Sequence, residues 1–168
     1  MDFTIRPARP EELDAVGELT ARAYLDGGLL SGGADDPYLP QLRDARARAG
    51  HALVLVAVEP GDDALLGAVA YVGDAGEYAD IARPGEAEFR MLVVDEAARG
   101  RGVGEALVRR CVELAREQGH GRLVLSTQHL MRAAHRLYGR LGFVRAPERD
   151  WHPRPESGLL LWAYELEL

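Results

Sequence analysis

The sequence predicts an α/β layer fold with a mixed sheet, on three observations. A strand-like run, Phe89 to Val94, leads into the glycine-rich stretch Arg99-Gly100-Arg101-Gly102-Val103-Gly104, and an amphipathic helix follows it. Apolar runs of strand and helix period succeed one another in the order β-α-α-β-β-β-α-β-α-β-β. A chain of 168 residues, 47% of them hydrophobic, is long enough to bury a sizeable core. A single domain over residues 1–168 is expected, because no repeat, low-complexity tract or long linker divides it.

Each element has its own signal. Phe3 to Ala8 reads as a short strand, and Pro10-Glu11-Glu12 opens a helix whose apolar positions are Leu13, Val16, Leu19 and Tyr24; proline and acids suit a first helical turn. Asp26-Gly27-Gly28 and Ser31-Gly32-Gly33 interrupt the pattern, predicting a mobile loop before a second, Arg-rich helix from about Asp36 to Ala49. Ala52 to Glu59 and Leu65 to Val72 read as strands joined at Pro60-Gly61-Asp62-Asp63, a hairpin signal. A Gly/Asp-rich connection, Gly73 to Gly85, leads to the strand before the glycine loop.

After that loop, Val103, Leu107, Cys111, Leu114, Ala115 and Gln118 recur at helical spacing and set one face of a helix into a core. Gly119-His120-Gly121 ends the helix, and Arg122 to Thr127 is the next strand. Met131 to Leu141 reads as a short helix stopped by Gly142, Phe143-Val144 begins a strand, and Leu159 to Leu168 alternates as the last one. The apolar run Leu159-Leu160-Leu161-Trp162-Ala163-Tyr164 is expected either to be buried or to pair across a homodimer.

Composition excludes several functions. The net charge of −7 argues against general affinity for nucleic acid. There is no 18-residue apolar run, and Met1-Asp2-Phe3-Thr4-Ile5-Arg6 lacks the basic start of a signal peptide, so a cytoplasmic location away from membranes is expected. Cys111 is the single cysteine and sits on the apolar helix face, as a buried thiol does. His51, His120, His129, His135 and His152 show no metal-ligand spacing, and no metal is expected.

Glycine has no Cβ, so a turn built from Gly100, Gly102 and Gly104 can take positive φ and admit a ligand to the backbone. The helix start beyond it offers unpaired N–H groups and a positive dipole end beside Arg99 and Arg101, which suits a di-anion. The same spacing also fits a plain turn from strand to helix. A P-loop is excluded because the chain contains no lysine. A dinucleotide fingerprint is excluded because Glu105 stands where its third glycine belongs. The spacing Arg-x-x-Gly-x-Gly between strand and helix resembles the acyl-CoA pyrophosphate loop of the GNAT superfamily of N-acetyltransferases. A second segment, Ala133-Ala134-His135-Arg136-Leu137-Tyr138-Gly139-Arg140-Leu141-Gly142-Phe143, resembles the family's helix carrying a tyrosine before a Gly-Phe turn.

That resemblance implies a central mixed, splayed sheet with helices on both faces and an acetyl-CoA-dependent N-acetyltransferase acting by direct attack in a ternary complex. The donor would lie between the strands Glu88 to Val94 and Leu123 to Thr127, with main chain near Leu92, Val93 and Val94 on its thioester and pantetheine arm. Arg99, Gly100, Arg101, Gly102, Val103 and Gly104 would take the pyrophosphate. Tyr138 resembles the general acid that protonates the departing thiolate, or a ring packing against the donor. Glu88 stands where some members carry a glutamate base, with Glu86 in reserve on the same strand face; a structural or substrate-binding glutamate is the other reading. Where many members place a cofactor-contacting asparagine, this chain has Met131, with Ser126, Thr127 and Gln128 as possible substitutes.

The resemblance implies acceptor loops at Tyr24 to Tyr38 and Glu148 to Gly158. Tyr24, Asp26, Asp35, Asp36 and Tyr38 would offer acids and aromatics to a cationic amine, with Trp151 and His152 opposite, and Tyr24, Asp26 and Trp151 are the chosen substrate residues. A small-molecule amine is the expected acceptor. A silent acyl-CoA sensor and a protein N-acetyltransferase are the alternatives.

Overall fold

A computed structural model describes residues 2–73 and 77–168. The expected connection Gly73 to Gly85 therefore lies partly, at residues 74–76, outside the described residues. The strands form an open seven-stranded mixed sheet in the order β1-β2-β3-β4-β5-β7-β6, from Thr4–Pro7 (β1), Leu53–Val58 (β2), Leu65–Val72 (β3), Glu86–Val94 (β4), Arg122–Gln128 (β5), Val144–Arg145 (β6) and Leu161–Glu167 (β7). The helices are Leu13–Asp26 (α1), Leu39–Arg43 (α2), Ala45–Ala49 (α3), Val103–Glu117 (α4) and Arg132–Arg140 (α5). The predicted α/β class and element order hold, with one helix more than expected. The chain forms two compact units, residues 1–71 with 91–111 and residues 72–90 with 112–168.

In the first unit, β1 pairs antiparallel with β2 from Thr4↔Val58 to Pro7↔Leu55, and β2 pairs with β3 across the predicted hairpin. Its turn places Gly61 and Asp63 at positive φ, while Asp62 accepts the Ala64 N–H. Leu13, Val16 and Leu19 of α1 pack on Val54, Val56 and Val58 of β2, with Val93 from the end of β4 in the same cluster. A second cluster joins Ala21, Leu30, Leu39 and Leu42, with Met91 against it. Gly17 makes this packing possible: a Cβ there would collide with the Arg43 carbonyl at the end of α2. Gly67 is as constrained, because a Cβ would stand 2.8 Å from the Val93 carbonyl and 2.9 Å from Val103.

The Arg-rich segment departs from expectation. Asp44 divides it into α2 and α3, and its carboxylate caps α3 by accepting the Ala47 N–H. The preceding loop is pinned rather than free. It holds a 3-10 turn at Gly33–Asp35, and Asp36 is buried, accepting the N–H groups of Gly32 and Tyr38.

In the second unit, β5 pairs antiparallel with β7 along its whole length, from Arg122↔Glu167 to Gln128↔Leu161, and β6 pairs with β7. The last strand is thus an interior strand with neighbours from its own chain on both sides. The parallel ladder of β4 and β5 holds only Glu86↔Arg122, Ala87↔Leu123 and Glu88↔Val124, although both strands continue beyond it. That early end is the splay the sequence led one to expect. Phe89, Tyr138, Phe143 and Tyr164 form a ring cluster with centroids 5.7–6.2 Å apart.

Candidate active site

The glycine loop lies in the first unit. Asp95 caps the 3-10 turn Glu96–Ala98, Arg99 is extended, and α4 starts at Val103 with the Ala106 N–H bonded to the Gly102 carbonyl. Gly100 and Gly102 have φ of +82° and +81°, and a Cβ on either would meet nothing within 4 Å. Gly104 differs from expectation, since it lies in the first turn of α4 and is not among the left-handed glycines. The first N–H groups of that turn have no partner one turn back.

The two arginines of the loop diverge. Arg99 is exposed and makes no ion pair among the described residues. The Arg101 guanidinium donates to Glu59 at 2.7 Å and pairs with Asp2 at 3.1 Å. Its guanidinium thus has two acidic partners of its own chain.

Upstream, β4 carries a feature that no sequence signal foretold. Met91 has φ +56°, a conformation that costs an L-residue about 1–2 kcal/mol. Packing of its side chain against the Ala21, Leu30, Leu39 and Leu42 cluster holds it there. A left-handed residue breaks the pleat and turns adjoining peptide groups out of the ladder. Leu92 and Val94, just beyond, are half-buried, while Val93 is in the core. Tyr24 packs, half-buried, against both clusters of this unit, and Asp26 is exposed at the end of α1. Asp36, expected to face an amine, is buried and committed to backbone.

In the second unit, Tyr138 is 3% exposed within the ring cluster on α5. Glu88 is 0% exposed. Its Oε1 accepts the N–H groups of Asp80, Ile81 and Ala82 at 2.9–3.0 Å, and its Oε2 shares that of Asp80 at 3.2 Å. Burial pushes its carboxyl up, with the nearby Asp80 charge adding to this and the three N–H groups opposing.

Glu86, the reserve candidate, is engaged too. It receives two hydrogen bonds from Arg149 at 2.8 and 2.7 Å, one from Arg122 at 3.2 Å and one from the Arg83 N–H. Burial works to raise its carboxyl, but Arg149, the Arg83 N–H and Arg122 bring it down to about 2. Both glutamates thus face groups of their own chain.

Around α5, Met131 precedes the helix without capping it, and the Thr127 hydroxyl reaches its sulfur at 3.7 Å. His135 stacks on Trp162 with centroids 5.5 Å apart, its Nε2 facing the Gln128 carbonyl at 2.9 Å. Burial lowers its pKa. Trp151 is half-buried and donates from Nε1 to the Ser126 hydroxyl at 3.0 Å. Cys111 is buried, which pushes its thiol up and makes it inert. No helix among the described residues is long and apolar enough to cross a membrane.

Residues 14–143 match the acetyltransferase (GNAT) family. The chain belongs to that family. Among curated proteins, N-acetylaspartate synthetase of Danio rerio is 40% identical over 68 residues, covering 40% of this chain and 24% of that protein. N-alpha-acetyltransferase MAK3 of Arabidopsis thaliana is 43% identical over 62 residues, covering 37% of this chain and 32% of that one. The matched segments span a quarter to a third of these relatives. Among solved structures, yncA from Salmonella typhimurium, described with its cofactor acetyl-CoA, has a TM-score of 0.70 and 24% identity, covering 100% of this chain and 95% of that one. The likeness extends the GNAT fold over the whole chain.

Proposed function

We propose that this chain, as one functional domain over residues 1–168, moves an acetyl group from acetyl-CoA to a primary amine by direct attack with both bound. The observation that carries this reading is the loop, where two left-handed glycines with open space around them lead into α4 beside the exposed Arg99. Arg99, Gly100, Gly102, Val103, Gly104 and the main chain of Arg101 would hold a pyrophosphate, using the N–H groups and dipole of a helix start. A Cβ at Gly100 or Gly102 would stand in the space this leaves, so the residues present fit the group.

Main chain at Leu92, Val93 and Val94, following the reversal at Met91, would meet the pantetheine arm and the thioester carbonyl. N–H groups fixed in this way are preorganised for the negative charge that develops on that oxygen. Tyr138 would protonate the departing thiolate. The amine's own proton passes to water in this reading, because Glu88 is wholly buried against the N–H groups of Asp80, Ile81 and Ala82.

Tyr24 and Asp26, at the end of α1, would bind the acceptor amine. A small amine is the acceptor class, in keeping with the product for which N-acetylaspartate synthetase is named. The match to MAK3 makes a protein α-amine the second class. Free thiol released from acetyl-CoA is measured with a panel of aliphatic amines, amino acids, amino sugars and N-terminal peptides. Amine-dependent release is expected, strongest with a small amine. Acetyl-CoA binding without release for any amine would turn the reading into that of a sensor.

A further inference from the structure

Glu86, Glu88 and Arg90 alternate on one face of β4, and all three hold the same stretch of chain. Glu86 accepts the Arg83 N–H at 2.9 Å, and Glu88 accepts those of Asp80, Ile81 and Ala82. Arg90 donates to the Tyr78 carbonyl at 3.1 Å, pairs with Asp80 at 3.0 Å and lies 4.6 Å over the Tyr78 ring. Residues 78–83 contain neither helix nor strand. Side chains of β4 therefore supply the partners that a regular element would supply for itself.

The clamp continues through Arg149. Its guanidinium donates to the Ile81 carbonyl at 3.3 Å while bound to Glu86, so it ties residues 78–83 to the segment after β6. Two positions on is Trp151, fixed by its own bond to Ser126. All of these groups belong to the second unit.

We propose that Glu88 is a positioning residue, whose carboxylate anchors residues 80–82 and, through Ile81 and Arg149, sets the place of Trp151 on the acceptor side. The proposal rests on the acetyl-transfer reading for the acceptor role of Trp151. It gives Glu88 the anchoring of N–H groups that have no other partner among the described residues, in place of a proton transfer.

Two substitutions separate anchoring from proton transfer. Glu88→Gln keeps an Oε1 that accepts the same three N–H groups but abolishes a base, whereas Glu88→Ala removes the anchor. Amide exchange at residues 80–82 is read by mass spectrometry, without activity. Steady-state kinetics use acetyl-CoA with the panel amine of highest turnover. In Glu88→Gln the three amides stay protected and the pH–rate profile overlays that of the unsubstituted protein. In Glu88→Ala their exchange quickens by about 100-fold, and the amine KM rises about tenfold while the acetyl-CoA KM stays within about twofold.

A Glu88→Gln protein with protected amides but a lost basic limb would overturn the proposal and make Glu88 the base. Unchanged exchange at 80–82 in Glu88→Ala would overturn the anchor. Absence of transfer to every amine by the unsubstituted protein would instead defeat the acetyl-transfer reading, and the exchange measurement tells the two failures apart.

Discussion

The glycine loop at residues 99–104 and the acidic face of β4 are both rich in hydrogen-bonding groups, yet they stand in opposite states. At the loop, backbone is laid open: two left-handed glycines have nothing around them, and Arg99 is exposed. On the face of β4, Glu86 and Glu88 are buried and both accept hydrogen bonds from their own chain. Residue type alone would make the glutamates the reactive groups and the glycines filler. The difference teaches that a group is available for chemistry only when the fold has not already paired it.

The largest effect is expected where the paired face is broken. Arg149→Met leaves Glu86 buried with Arg122 as its remaining cationic partner, at a cost of about 3 kcal/mol, the low end for breaking a buried pair. Urea unfolding measures it. The pH dependence has a definite sign. Glu86 titrates at about 2 folded against an ordinary 4.5, so its contribution is complete above pH 4.5 and is lost as pH falls towards 2. Arg149→Met flattens that part of the stability curve.

Next comes Tyr138→Phe, which keeps the ring cluster and removes the hydroxyl. Turnover falls about 100-fold with acetyl-CoA affinity unchanged, as initial rates and calorimetry would show. Full turnover would leave Tyr138 as a packing ring. At the open loop, Gly102→Val meets no neighbour but forces a β-branched residue to φ +81°. Acetyl-CoA affinity falls about tenfold, equivalent to about 1.4 kcal/mol. The smallest effects separate the arginines: Arg99→Ala weakens acetyl-CoA binding about threefold and lowers its salt dependence, while Arg101→Ala leaves it unchanged, since that guanidinium serves Glu59 and Asp2.

Much of the fold was legible because its signals are local. Gly61 and Asp63 at the β2–β3 hairpin, the buried face Val103, Leu107, Cys111 and Ala115 of α4, and the left-handed Gly100 and Gly102 follow from residue type and spacing. The division of the Arg-rich helix at Asp44 rests on a single capping residue within a run of good helix formers.

The site was legible only in part. Met91 at φ +56° carries no signature, because packing rather than residue type holds it there. The partners of Glu88 lie six to eight residues upstream along an irregular segment, and Arg149 reaches Glu86 across 63 positions. Two glutamates at alternate positions on a strand meant to be buried were the available hint. Acids buried on a strand need partners, and here they find them in residues 80–83 and in Arg149.

The contrast between open and occupied backbone is tested most directly by amide hydrogen exchange on the intact chain, with and without CoA. Amides of residues 102–105 are expected to exchange quickly in the free protein and to slow when CoA binds, while those of 80–82 are slow from the start and unchanged. Fast exchange at 80–82 in the free protein, or bound CoA that leaves 102–105 unprotected, would contradict the account.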